Sequence, residues 1–373
     1  MELSYWEHKT WFSNVDFTVV GSGIVGLNCA IALKDRYPKA KVLVLERGSL
    51  PQGASTKNAG FACFGSISEI VADLKHHSEQ EVYDLVEQRW QGIRSLRSLL
   101  GDEALSYQNL GGHELFLKKD TALFESCSDQ LDRVNGLLEP IFGQDPFRKQ
   151  PNRFSFEGVL DHYISHHYEG QIDTGHMMQQ LLLMAQGKGI LLLNRIEVTA
   201  FEDLGAKVAV QTDGFDFETG TLCVATNGFA QRLLNETVDP ARAQVLITEP
   251  IANLHIKGTF HFDEGYYYFR NIDDRILFGG GRNLDFEGET TDHFGQTEVI
   301  QAQLERLLRD IILPNNKIAI DQRWSGIMGV GTQKKPIIKA LSNRVFCGVR
   351  LGGMGVAIGS HVGQQLAQLA NKA

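Results

Sequence analysis

The segment from Asp16 to Glu46 constrains this chain more than any other part of it. Asp16-Phe-Thr-Val-Val20 is a short apolar run rich in β-branched residues, the pattern of a strand buried in a parallel sheet. It runs straight into Gly21-Ser-Gly23-Ile-Val-Gly26. A helix is predicted from Ile24 to about Arg36, with Leu27, Ala30, Ile31 and Leu33 on a helical period and Pro38 beyond its end. A second apolar strand, Lys41-Val-Leu-Val-Leu45, ends at Glu46. Gly21 permits the tight turn off the strand, Gly23 lets a pyrophosphate approach the backbone, and Gly26 lets the helix pack close to the strand. Ser22, Ile24 and Val25 complete the loop and helix start, whose free N–H groups and dipole favour phosphate. Glu46 stands 20 residues past Gly26, where a carboxylate accepts hydrogen bonds from an adenosine ribose. Strand, glycines, helix, strand and acid in register predict a bound dinucleotide. The acid disfavours a 2′-phosphate and hence NADP; NAD and FAD both stay open.

The rest of the chain sets limits. Its 373 residues suit two domains or one large one. A formal net charge of −9 argues against a nucleic-acid partner, since phosphate binding wants a cationic face. Glu2 and Glu7 stand where a secretion leader carries positive charge, so no leader is expected. The longest apolar run, Leu181 to Leu193, is interrupted by Gln186, Gly187, Lys188 and Gly189, and no transmembrane segment is expected. Five scattered cysteines, without a CxxC pair, suggest neither zinc nor a disulfide framework, and a cytoplasmic location is expected. His162 and His166 would share a face on a helix, but no third metal ligand accompanies them. No metal site is expected, and nothing specifies an oligomeric state.

Beyond Glu46 the chain resembles the D-amino-acid oxidase-like superfamily of FAD enzymes, which includes glycine oxidase, sarcosine oxidase, D-amino-acid dehydrogenases and L-2-hydroxyglutarate dehydrogenase. Glu46-Arg47 followed by Gly53-Ala-Ser-Thr-Lys-Asn-Ala-Gly60 is similar to the family's second FAD segment. Ser55, Thr56 and Asn58 offer hydroxyl and amide groups there, with Ala54, Ala59 and Gly60 around them. The resemblance also implies backbone contact with adenine at Val198, a strand ending beside FAD at Ala225-Thr226-Asn227-Gly228, and a closing loop at Gly352-Gly353-Met354-Gly355-Val356. The helix after that loop would turn its positive end toward the flavin. Gly265-Tyr266-Tyr267-Tyr268 through Gly280 reads as a hairpin of a second sheet.

The implied fold class is α/β, with a Rossmann-type FAD-binding domain and a second, antiparallel-sheet substrate domain like that of glycine oxidase. Residues 1–85, 155–235 and 320–373 are assigned to the first, and 86–154 and 236–319 to the second. FAD is expected to be non-covalent, because no cysteine lies near Ile327 and Met328. Two departures from the family stand out. Met328 occupies the place of an arginine that grips a substrate carboxylate, and Lys334 replaces a nearby acid. Arg350, in the closing loop, is the expected substitute clamp, with Tyr266 as a second substrate contact. Arg270 and Lys57 are the next candidates. The expected reaction is hydride transfer from a small amine or amino acid to flavin N5, with a 2-hydroxy acid as the alternative donor.

Overall fold

The computed structural model describes residues 2–314 and 318–370. The apolar run at the start forms strand β1, Val15–Val20, which sits in the middle of an eight-stranded sheet. It pairs in parallel with β2, Val42–Glu46, on one side and with the strand Asp216–Val224 on the other. Leu191–Asn194 extends the sheet beyond β2, and Val345–Val349 extends it beyond Asp216–Val224, both in parallel. Neighbours in this sheet therefore come from the beginning, middle and end of the chain.

Glycines bring helices onto this sheet. Helix α1, Ile24–Arg36, presses so closely on β1 that a β-carbon on Gly26 would lie 1.9 Å from the carbonyl oxygen of Gly21. Helix α2, Glu79–Leu100, is started by a capping box between Ser78 and Glu81 and stopped at Gly101, whose φ is 87°. Helix α3, Gly355–Ala370, lies against both. Its Gly359 faces Ile24, its Gly363 faces Val25 and Asn28, and Gly92 of α2 meets the backbone of Ala357. Removing the β-carbon at these points lets helix backbones approach and gain dispersion contact that side chains would prevent.

The second sheet runs Ile320–Val330, Asp239–Thr248, Arg275–Gly280, Tyr267–Ile272, Thr259–Phe262, Gly112–Glu114, His162–His166 and Phe147–Pro151. It is antiparallel except where Thr259–Phe262 meets Gly112–Glu114. Sheet membership passes two of the boundaries drawn from sequence: His162–His166 and Ile320–Val330 both pair here. Strand alternation divides its faces. Phe260, Phe262, Tyr267, Phe269 and Phe278 enter an aromatic core, with Phe260 and Phe269 stacked at 4.7 Å. His261 and Tyr268 take the opposite face and line a cavity.

The helix imagined for His162 and His166 is a strand, which holds residues four apart at about 13 Å rather than one helical turn. His166 is buried among Phe64, Phe142 and Phe147, and burial pulls its pKa down to about 3. Among the described residues, no helix is long and apolar enough to cross a membrane. The five cysteines are free and buried.

Two helical glycines separate close approach from simple helix propensity. Gly92→Ala would place its β-carbon 2.0 Å from the Ala357 oxygen, and a loss of about 3 kcal/mol is expected. Gly136 in the helix Leu131–Phe142 has nothing within 4 Å of that position, and Gly136→Ala should gain up to about 1 kcal/mol. Thermal or urea unfolding of the two variants measures both.

Candidate active site

A cavity of about 580 Å³ runs from the end of β2, past the start of α1, to the inner face of the second sheet. At the β2 end, the Glu46 carboxylate is held on both oxygens. Oε2 accepts from Ser22 N at 3.2 Å and Ser22 Oγ at 2.8 Å, while Oε1 accepts from Gly48 N at 3.0 Å. Arg47 lies 3.9 Å over the ring of Phe229 and 3.8 Å from Glu197. Burial and then neighbouring Arg232 pull its guanidinium below the usual value. Val198 lines the same end.

At the start of α1, Gly21 takes φ 101° and Gly23 is extended. The helix start has no cap from Gly23; instead Ile24 N donates to Ser55 Oγ at 2.9 Å. This joins the first glycine loop to the segment Gly53–Gly60. Gly21, Gly23, Ile24, Val25, Ala54, Ser55, Asn58, Ala59 and Gly60 all line the cavity. Ser22, Gly26, Thr56 and Gly228 support it from outside. Thr56 Oγ1 donates to Pro51 O at 2.7 Å. The Asn58 amide donates to Ala54 O and Ser55 O and accepts from Gly60 N at 2.8 Å and from Thr174 Oγ1 at 2.9 Å.

The far wall is built by the closing loop. Asn227 Oδ1 accepts from Arg350 N at 3.0 Å and Leu351 N at 3.2 Å. Gly352 and Gly353 follow with φ 59° and 83°, and Met354, Gly355 and Val356 complete the wall. Ala225 and Thr226 lie beneath, and Thr226 Oγ1 is buried without a partner among the described residues. A long cavity with an acid at one end, a glycine-lined helix start, and a second helix start at Gly355 suits a dinucleotide. Glu46 would take the ribose, and the α1 N-terminus the phosphates.

Arg350 does not face this cavity. Its φ is +65°, which turns the side chain off the loop. The guanidinium donates to the carbonyl of Lys335 at 3.1 and 2.9 Å and reaches that of Thr237 at 3.5 Å. It staples the closing loop to its neighbours, and its assignment as a substrate clamp is corrected accordingly. Tyr266 does line the cavity and is 43% exposed.

Several cavity residues carry no sequence motif. Lys57 lies over Phe294 at 5.2 Å. Lys334 pairs with Asp73 at 2.8 Å and sits 4.0 Å from Glu69. Burial alone would raise the Glu69 carboxyl, but Lys334 and Arg89 hold it below the usual range. Burial pulls the His261 imidazole below its usual value and pushes the Tyr268 hydroxyl up to about 12. Arg282 donates to Thr290 Oγ1 at 3.1 Å, leaves Nε unpartnered and meets no carboxylate among the described residues. Behind this wall, Glu169 accepts from Phe64 N at 2.8 Å, and Glu114 from Ser68 N at 3.0 Å. Burial raises them to about 8 and about 7.

The family model described as "DAO: FAD dependent oxidoreductase" matches residues 16–369. The "Bifunctional protein ThiO/ThiG" of Synechocystis sp. is 24% identical over 345 residues, covering 87% of this chain and 46% of that protein. The "L-2-hydroxyglutarate dehydrogenase" of Escherichia coli is 22% identical over 226 residues, covering 59% of this chain and 49% of that protein. The chain thus spans about half the length of each of these two relatives. The crystal structure of glycine oxidase from Geobacillus kaustophilus superposes with a TM-score of 0.78 at 18% identity, covering 95% of this chain and 94% of that one.

Two outcomes follow from the site geometry. Arg350→Met should leave kcat/KM within about threefold of the parent while lowering Tm, because it orphans carbonyls without touching the cavity. Steady-state kinetics and a melting curve distinguish this from a clamp. Glu169 binds its proton more tightly folded than unfolded, so its contribution to stability is present below about pH 4.5 and is lost as pH rises through about 8. Glu169→Gln should therefore flatten the decline of Tm between those values.

Proposed function

This chain belongs to the DAO family of FAD dependent oxidoreductases, and on that premise we propose that it oxidises a small amine or amino acid. The observation that carries this reading is the single cavity joining the glycine cradle to the second sheet. Glu46, the α1 start and the closing loop would hold FAD there, and the wall of His261, Tyr266 and Tyr268 would meet the donor. Bound FAD supplies the acceptor for a hydride from the donor carbon. The chain's own residues bind and orient the donor so that its C–H faces that acceptor. His261, whose imidazole burial pulls below its usual value, offers a hydrogen-bonding nitrogen. The amine must be unprotonated to react, and solvent serves as the base. No covalent link to FAD is proposed.

An acidic donor needs a cation. Arg282 is on the cavity wall with no ion pair among the described residues, only the through-space pull of Glu289 and Asp239, and Tyr266 lies beside it; together they replace Arg350 in that role. A planar guanidinium holds a carboxylate by two parallel hydrogen bonds. The similarity to an L-2-hydroxyglutarate dehydrogenase over 226 residues favours a 2-hydroxy acid as the second reading.

An anaerobic screen of D-amino acids, N-methyl amino acids, simple amines and 2-hydroxy acids tests the proposal through bleaching of the flavin band. Bleaching by a CH–NH donor supports the first reading, and bleaching by hydroxy acids alone replaces it with the second. Bleaching by none sinks both. Arg282→Met should lower kcat/KM for an acidic donor roughly a hundred-fold and leave a neutral amine unaffected.

A further inference from the structure

Arg270 has no hydrogen-bond or ion-pair partner among the described residues. It is 2% exposed, on the strand Tyr267–Ile272, and shares with Tyr268 the face turned toward the cavity. Its side chain makes no hydrogen bond and no ion pair with any described residue, and Nε is buried without an acceptor. Burial pulls the guanidinium to about 10, against only the through-space pull of Asp173 and Asp273. Gly60, on the cavity wall, is its neighbour: a β-carbon there would lie 3.0 Å from a terminal nitrogen of Arg270 and 3.1 Å from its Cζ.

An uncompensated buried charge is strongly destabilising, and replacing it with an apolar side chain of similar volume costs little or stabilises. A fold has reason to keep such a charge where a counter-charge arrives from outside the chain. The other cations of the cavity wall are differently placed. Lys334 is paired with Asp73, Arg47 and Arg232 with Glu197, and Lys57 lies over Phe294. Arg282 lines the cavity, whereas Arg270 does not and packs beside Gly60, which does.

We propose that Arg270 is the fixed counter-charge for the negative charge that FAD gains when it takes electrons. The inference rests on the family's FAD and on a donor being oxidised in this cavity. In that oxidation one donor C–H bond breaks and its electron pair and hydrogen pass to flavin N5. The donor nitrogen or oxygen closes a double bond to carbon, and its proton leaves to solvent. The flavin ring is left one unit more negative, and a buried guanidinium near it stabilises that charge far more than an exposed one would. Arg270 is thus a positioning residue for charge, not a donor contact.

Sulfite adds to the flavin of the holoprotein and also makes the ring negative, so it reports this charge without any donor. In Arg270→Met, the sulfite dissociation constant should rise by roughly ten- to a hundred-fold. The flavin midpoint potential should become more negative by about 30 mV for each tenfold. Tm should hold or rise. Arg270→Lys, which keeps a charge, should lie between the variant and the parent. Unchanged sulfite affinity and potential in Arg270→Met overturn the proposal, as does Arg270→Lys behaving like Arg270→Met. A loss confined to donor affinity assigns the arginine to the donor and overturns it too. If Arg270→Met, Arg270→Gln and Arg270→Lys all fail to load FAD, the residue serves assembly and the proposal falls. A parent protein whose flavin binds sulfite but is bleached by no donor sinks the functional reading instead.

Discussion

The contact between α1 and β1 is the constraint on which the rest of the structure depends. A β-carbon at Gly26 would lie 1.9 Å from the Gly21 oxygen, so helix and strand backbones are as close as they can be. That approach sets the direction of the α1 N-terminus, and Ser55 Oγ then meets Ile24 N there. It also sets where α3 can lie, because Gly359 and Gly363 pack on the first two turns of α1. The loop ahead of α3 carries Gly352 to Gly355 to the cavity as a result. Local backbone proximity at one glycine thereby fixes a wall supplied from the other end of the chain.

The second sheet contributes through alternation. One face is an aromatic core in which Phe260, Phe262 and Phe269 are wholly buried. The other face turns His261, Tyr268 and Arg270 toward the first sheet. Rigid stacking on the apolar side holds the polar side in place, so these groups need few hydrogen bonds of their own. His261 Nε2 and Arg270 Nε indeed have none among the described residues. Burial lowers the histidine and raises the tyrosine hydroxyl, giving a wall whose ionisation is shaped by position rather than by pairing.

Much of this was legible because its signals are local. The turn, strand and helix around Gly21, Gly23 and Gly26 are written in neighbouring residues, as is the hairpin ending at Gly280. Side-chain direction in a loop is not local. Arg350 stands in the expected loop, yet a φ of +65° points it to the Lys335 carbonyl. Thr56 looks like a ligand contact by composition, yet its hydroxyl donates within its own loop and it stands outside the cavity lining, whereas Asn58 lines it. The His162–His166 spacing matches a helix face, and pairing with Phe147–Pro151 makes it a strand. Strand membership near 162 and 320 likewise depends on distant partners. Arg282 and His261 belong to no motif and reach the cavity only through packing.

The interleaved first sheet has a consequence for how the protein is made. β1 emerges from the ribosome before its neighbour Asp216–Val224, which follows some two hundred residues later, and α3 comes later still. Non-local pairing of this kind delays the closing of a sheet. Until α3 docks, the apolar flank of α1 bearing Ile24 and Val25 has no cover from it. A nascent chain would spend much of its synthesis with sticky surface exposed, a state in which chaperones and misassembly compete. Gly21–Gly26 would be translated well before Gly352–Val356, so the cavity they both line is completed only once the later segment has been made.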